Sequence, residues 1–170
     1  MGTRSPAPSE RPARDRALLV RRVVTASPDA LWSALTDPWT FVTLLGGCTV
    51  FAVDDAPWRL GRGSVVEATV RRRNLTLSAT TTVLQARPGE LIAWRVDLRR
   101  GGRTVHAGGS GTVALRPHPV GCVVNASVER TPASGVVPGA LRERGDARAR
   151  TDLAVRLRDL DLLVTGHDAV

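Results

Sequence analysis

The 170-residue chain contains no lysine and no tyrosine, and all 24 of its basic residues are arginine. Together with the many alanines, glycines and valines, this usage indicates the composition of a high-GC, actinobacterial-type genome rather than arginines placed for one partner. The net charge of +8 alone would suit nucleic acid. The sequence has no basic helix, however, and no strand whose aromatic residues are arranged to stack on bases. We therefore expect no nucleic-acid partner.

Long apolar runs are also absent. No stretch reaches the roughly 20 residues of a transmembrane helix, so we expect no integral membrane segment. Residues 1–16 contain no apolar core of the kind found in a secretory signal, which favours a cytoplasmic location. Cysteine occurs only at Cys48 and Cys122, and their separation matches no metal-binding or redox motif. We expect two reduced thiols, no bound metal and no cofactor.

The length and the 42% hydrophobic content fit one domain with a substantial core. Residues 1–16 mix proline, serine, arginine and alanine without periodicity, which predicts a disordered basic tail. The folded domain is expected over 17–165, and a short C-terminal tail over 166–170.

Two short helices are predicted near the start of this domain. Ser27 is a good N-cap residue and Pro28 fits the first helical position. Asp37 and Pro38 repeat this start signal ten residues later, and the two glycines at 46–47 end the second helix. Two capped helices in succession predict a corner rather than a rod.

The rest of the chain up to residue 130 alternates apolar and polar residues in runs separated by turn residues, which indicates β-strands. A first strand is predicted over 17–26. Short links between the strands favour an antiparallel meander. The six further strands are predicted over 48–54, 64–71, 75–86, 91–98, 104–116 and 122–130.

A long amphipathic helix is predicted over 139–165, with Leu153, Leu157, Leu160 and Val164 on one stripe. The fold class is therefore α+β, with a seven-stranded antiparallel sheet. A strongly curved sheet must cover its concave face, and this helix is the element long enough to do so.

This order of elements resembles that of the START-like, helix-grip superfamily. The segments "SPDALWSALTDPWTF" after the first strand, "PGELIAW" at the fifth strand and "RTDLAVRLRDLDLLV" at the end carry the resemblance, which covers about residues 17–165. Within that superfamily the chain is most similar to the bacterial polyketide cyclase/dehydrase and lipid-transport branch, abbreviated SRPBCC. The resemblance implies a cavity between the sheet and the C-terminal helix that holds a hydrophobic ligand.

Apolar and polar residues alternate along the strands, so each strand has one apolar face. This face must be the inner one, because the C-terminal helix covers it. Alanine and glycine occur at mid-strand positions of this face, where a filled core would carry larger side chains. We therefore predict a pocket, with filling by Trp94 and the last helix as the alternative. The predicted ligand-binding residues are Trp39, Phe41, Ala68, Val70, Leu77, Ala79, Thr81, Trp94, Val96, Ala107, Gly109, Ala126, Leu153 and Leu157.

Histidine is the candidate for catalytic chemistry in this pocket. His106 alone of the three histidines lies in a predicted strand, and alternation turns it outward. A bulge in the glycine-rich run 108–111 would reverse the alternation and bring His106 to the cavity as a general acid or base.

Arginines concentrate where alternate turns of a meander emerge at one end of the sheet. We predict that Arg72, Arg73, Arg100 and Arg103 surround the entrance there. An arginine-lined entrance to an apolar pocket suits a guest with an anionic head, an acidic carrier protein or an anionic membrane surface. An ordinary polar surface in an arginine-rich protein is the alternative.

The predicted fold and pocket are compatible with three functions. The first is binding or transfer of a hydrophobic small molecule, such as a lipid, isoprenoid or polyketide, with or without an anionic head. The second is an enzyme of the polyketide cyclase/dehydrase type that uses the same cavity without a metal. The third is a partner-binding module with a filled core.

Overall fold

A computed structural model describes residues 17–45, 49–55, 57–72, 75–101, 103–129 and 139–166. In this part of the chain the fold is α+β, with one open antiparallel sheet, two short helices and one long C-terminal helix. The strands are β1 (Leu18–Val24), β2 (Thr49–Asp55), β3 (Val65–Arg72), β4 (Leu75–Arg87), β5 (Leu91–Arg100), β6 (Arg103–His118) and β7 (Gly121–Glu129). The helices are α1 (Pro28–Leu35), α2 (Pro38–Leu45) and α3 (Gly139–Thr165). The predicted N-terminal tail, 1–16, and residues 167–170 lie outside the described residues.

The strand order in the sheet is β1-β7-β6-β5-β4-β3-β2. Strands β2 to β7 therefore form the predicted antiparallel meander, and β1 closes onto β7. Because successive turns alternate between the two ends, the β3–β4 and β5–β6 turns lie at one end, referred to here as the entrance end. The β4–β5 and β6–β7 turns lie at the opposite end, the base end.

Both ends of the short helix α1 are capped by side chains. The Ser27 hydroxyl accepts a hydrogen bond from the Ala30 amide at 3.2 Å, as its N-cap pattern predicts. At the other end the Arg59 guanidinium donates to the Ser33 carbonyl and, at 3.2 Å, to the Thr36 hydroxyl. A cation there complements the negative end of the helix dipole.

Helix α2 repeats this arrangement. The Asp37 carboxylate accepts from the Thr40 amide at 2.8 Å. The Arg156 guanidinium of α3 donates to the carbonyls of Thr43 and Leu44, both at 2.9 Å. The predicted glycine stop at 46–47 lies outside the described residues.

Helix α3 is tied to the start of the domain by Asp161. Its carboxylate accepts from the backbone amides of Thr25 and Ala26 at 3.0 and 2.9 Å, and from the Thr25 hydroxyl at 3.1 Å. These bonds fix α3 over β1 and beside both short helices. Among the described helices, none is long and apolar enough to span a bilayer.

The main core lies between the sheet, α1, α2 and the C-terminal part of α3. Leu157 and Leu160 of α3 are almost fully buried in it, as the apolar stripe predicts. Phe41 of α2 meets the Trp94 ring of β5 edge to face, with the ring centroids 5.4 Å apart and the planes at 79°. Such a pair adds about 0.5–1.5 kcal/mol to the burial of the two rings.

Candidate ligand-binding site

Small and medium-sized apolar side chains form a separate cluster on the inner face of the sheet near the entrance end. Ala79 of β4 lies between Ala68 of β3 and Leu98 of β5 in the register. Val70 and Leu77 pair two residues closer to the entrance end. All five are buried and pack together apart from the main core. These five residues are referred to as the small-residue cluster.

Larger side chains fill the inner face on the base side of this cluster. Trp94 pairs with Gly111 of β6, and its indole ring covers that glycine. A Cβ atom added to Gly111 would lie 2.8 Å from both Cε2 and Cη2 of the ring. The Trp94 ring therefore occupies the space that a side chain at Gly111 would need, and this glycine leaves no free space on the inner face.

Thr81 lies between these two regions. It pairs with Val66 of β3 and Val96 of β5 and is 5% exposed. Val96 packs against both the main core and the small-residue cluster. Thr81 thus supplies a buried hydroxyl beside apolar side chains. A buried hydroxyl without a hydrogen-bond partner costs free energy, so a partner there is favoured.

The register between β5 and β6 shifts near His106, so unbroken alternation through this strand is wrong and the alternative of a bulge within 108–111 is the one found. Gly109 pairs with Val96, but the next pair joins Ala107 to Asp97, so that one residue is extra. The φ angle of 129° at Gly109 accommodates this bulge. The ladder consequently places His106 opposite Leu98 of the small-residue cluster, and Ala107 opposite Asp97. The side chains of 102–108 lie outside the described part of the structure.

Arginines stand at the ends of β3 and β5, at the entrance end of the sheet. Arg71 at the end of β3 and Arg99 and Arg100 at the end of β5 have exposed side chains. Arg72 pairs with Leu75, and Arg103 pairs with Arg100 across the next turn. The side chains of Arg72 and Arg103, and the whole of Arg73, lie outside the described residues.

The remaining predicted ligand-binding residues lie elsewhere. Ala126, Leu153 and Leu157 are buried in the main core with Phe41 and Trp94, rather than in the small-residue cluster. Trp39 of α2 is 51% exposed.

One charged residue on the inner face, Arg22, is not among the predicted site residues. Arg22 of β1 pairs with fully buried Val124 and lies on the same face as the buried residues Leu18 and Val24. Its Nε atom is buried and has no hydrogen-bond partner. The signal was the alternation of β1 itself, which puts residues 18, 20, 22 and 24 on one face. The register places Arg22 on the base side of Trp94, away from the small-residue cluster.

Cys122 is fully buried in β7. Burial raises the pKa of its thiol, and a hydrogen bond with the backbone of Arg116 opposes this rise. A protonated, inaccessible thiol is a poor nucleophile. The other cysteine, Cys48, lies outside the described residues.

No family model matches the sequence, and no curated protein matches it. Solved structures do match, at low identity and over nearly the whole chain. A Mesorhizobium loti protein is 17% identical with a TM-score of 0.62, and the match covers 91% of this chain and 100% of that one. Ara h 8.0201 is 11% identical with a TM-score of 0.62, over 89% and 99% of the two chains. A Nitrosomonas europaea protein is 14% identical with a TM-score of 0.63, over 90% and 96%.

The fold is of the helix-grip type. Its hallmark in this chain is the long helix α3 held against an open antiparallel sheet, with α1 and α2 between the first two strands. Identities of 11–17% show the fold alone, so function must be argued from the site.

Proposed function

We propose that the protein binds or transfers a hydrophobic small molecule with an anionic head group, of the lipid, isoprenoid or polyketide type. The observation that carries the proposal is the small-residue cluster, a buried apolar group separate from the main core, which lies beside Thr81 and toward the end of the sheet where exposed arginines stand. Helix-grip proteins in general bind hydrophobic ligands, which supports this choice.

In this proposal the apolar part of the ligand lies against the small-residue cluster, and Thr81 hydrogen-bonds to a polar atom along its length. The head group lies at the entrance end beside exposed Arg100, which alternation puts on the inner face, while exposed Arg71 and Arg99 stand at the same end on the outer face. Arginine binds carboxylates and phosphates with paired hydrogen bonds. The same arginines would also suit delivery by an acidic carrier protein or from an anionic membrane surface.

Two matched substitutions test whether space for a ligand exists. Ala79→Leu enlarges a member of the small-residue cluster, and we expect it to change the free energy of unfolding by less than about 1 kcal/mol while abolishing ligand binding. Ala126→Leu enlarges a fully buried alanine of the main core, so we expect it to destabilise the protein by about 1–3 kcal/mol. Urea unfolding of both variants measures the difference. Equal destabilisation by both would show that the cluster is packed solid and would contradict the proposal.

A fluorescent fatty acid, cis-parinaric acid, tests the ligand class. We expect it to bind the wild type more tightly than its uncharged methyl ester. In an Arg100→Gln variant the acid and the ester should bind equally, whereas Arg99→Gln, on the outer face at the same strand end, should keep the preference. Native mass spectrometry of protein from its own host would identify the natural ligand. If no lipid-sized mass accompanies the protein and neither probe binds, the filled-core alternative is correct.

A polyketide cyclase/dehydrase activity is the second candidate, because the register sets His106 opposite the small-residue cluster. An imidazole at that position would serve as the general acid or base. NMR of the imidazole protons tests this role. Adding cis-parinaric acid should shift the His106 signals and leave those of exposed His118 unchanged. Unmoved His106 signals with bound ligand would exclude His106 from the site.

A further inference from the structure

An open surface pocket of about 260 Å³ lies between α1 and the segment 57–64 that links β2 to β3. The carboxylate of Asp29 in this pocket lies 3.7 Å from a Cβ atom placed on Gly89 of the β4–β5 turn, so the pocket is at the base end. It shares no residue with the small-residue cluster. Its lining residues are Asp29, Trp32, Ser33, Thr36, Arg59 and Leu60.

Hydrogen bonds hold the two sides of this pocket together. The Leu60 amide donates to the Thr36 carbonyl at 2.8 Å. Nη1 of Arg59 donates to the Ser33 carbonyl and the Thr36 hydroxyl. The guanidinium group also lies 5.8 Å from the centre of the Trp58 ring, within the range of a cation–π contact. The side chain of Arg59 is therefore fixed before any ligand arrives, which lowers the entropic cost of binding.

The pocket carries one charge of each sign beside an apolar wall. Asp29 and Arg59 both line it, and neither belongs to an ion pair among the described residues. Arg59 uses Nη1 to hold α1, so its Nε and Nη2 groups are the ones that can donate to a ligand. Buried Leu60 and half-buried Trp32 supply the apolar surface.

We propose that this pocket binds a free amino acid with an apolar side chain, or a closely similar small zwitterion. Arg59 takes the carboxylate, Asp29 takes the ammonium group, and the side chain lies against Trp32 and Leu60. A ligand of one charge alone would be repelled by one of the two residues. The volume of about 260 Å³ is below the roughly 300–1,000 Å³ of sites for drug-sized molecules, so a ligand of amino-acid size matches it. This site is independent of the proposed cavity ligand.

Amide NMR titration tests the proposal with three probes. L-Leucine carries both charged groups, isocaproate lacks the ammonium group, and isopentylamine lacks the carboxylate. We expect L-leucine to shift amide signals of α1 and of 57–64 saturably, with a Kd on the order of 1 mM or tighter. Each comparator should bind about tenfold or more weakly, because it leaves one charged partner unpaired.

Three variants test whether Asp29 and Arg59 bind the two charged groups of L-leucine. Asp29→Asn and Arg59→Gln should each weaken L-leucine binding about tenfold or more, since each removes a charge-assisted hydrogen bond. Arg62→Gln changes an exposed arginine of the same segment outside the pocket and should bind as the wild type does. Unchanged amide signals of the sheet show that a variant is folded. If Arg59→Gln unfolds α1, the effect of Asp29→Asn on L-leucine binding alone tests the proposal. Equal responses to the three probes, or no saturable shift up to about 10 mM, would overturn the proposal.

Discussion

At the scale of single residues, Gly111 shows how one missing side chain positions a large neighbour. We expect Gly111→Ala to destabilise the protein by about 1–3 kcal/mol, because the new methyl group must displace the buried Trp94 ring that packs edge-on against Phe41. Chemical denaturation followed by tryptophan fluorescence measures the change.

Gly61 provides the control for this substitution. A Cβ atom there would meet nothing within 4 Å, so Gly61→Ala should change the free energy of unfolding by less than about 0.5 kcal/mol. If both variants were equally stable, the Trp94 ring would have to lie elsewhere in solution.

Cys122 makes stability depend on pH. Burial raises the pKa of its thiol in the folded state, so the unfolded thiol, with a pKa of about 8.5, ionises first as the pH rises. The stabilising contribution is complete below that value and is lost as the pH rises through the folded pKa. We therefore expect the wild type to lose more stability between neutral and alkaline pH than Cys122→Ala does. Parallel slopes for the two proteins would contradict the buried thiol.

At the scale of elements, each short helix is capped at its first turn by a local residue and at its last turn by a distant arginine. The N-caps Ser27 and Asp37 could be predicted, because the capping residue is three positions from the amide it binds. The arginine caps could not. Arg156 is more than a hundred residues from the carbonyls it binds, and only the folded chain brings them together.

Arg156 and Arg158 on α3 give a matched test of this capping. Arg156→Gln should destabilise the protein by about 1 kcal/mol or more, because two carbonyls at the end of α2 lose a charged donor. Arg158 pairs with Asp159 on the surface with both side chains more than half exposed, so Arg158→Gln should be nearly neutral. Thermal unfolding compares the two. Equal melting temperatures would show that Arg156 contributes no more than a surface ion pair.

At the scale of the whole molecule, the order of strands and helices was accessible from the sequence because local signals carry it. Alternation marks each strand, and short connections make sequence neighbours pair. The site was accessible only in part. Alternation correctly assigned Ala68 and Ala79 to the buried face. The glycines at 108–111 suggested a bulge, but alternation alone could not decide whether an extra residue lies there, and that residue changes the position of His106 in the ladder.

Long-range packing explains the other differences. Nothing in the local sequence around Gly111 shows that a ring from β5 covers it, and nothing near Asp29 shows that Arg59 shares its pocket. Arg22 differs from these, since the local alternation of β1 alone puts it on the inner face with Leu18 and Val24.

Helix α3 carries Asp161 and Arg156 five positions apart, and through them it holds the chain entering α1 and the last turn of α2. Fraying of its C-terminal half would therefore release the start of α1 and the end of α2 in a single event. In hydrogen exchange, the amides of α1, α2 and this part of α3 should share one opening free energy, lower than that of the central strands. A nick or truncation after Leu153 would loosen residues more than a hundred positions away in the chain.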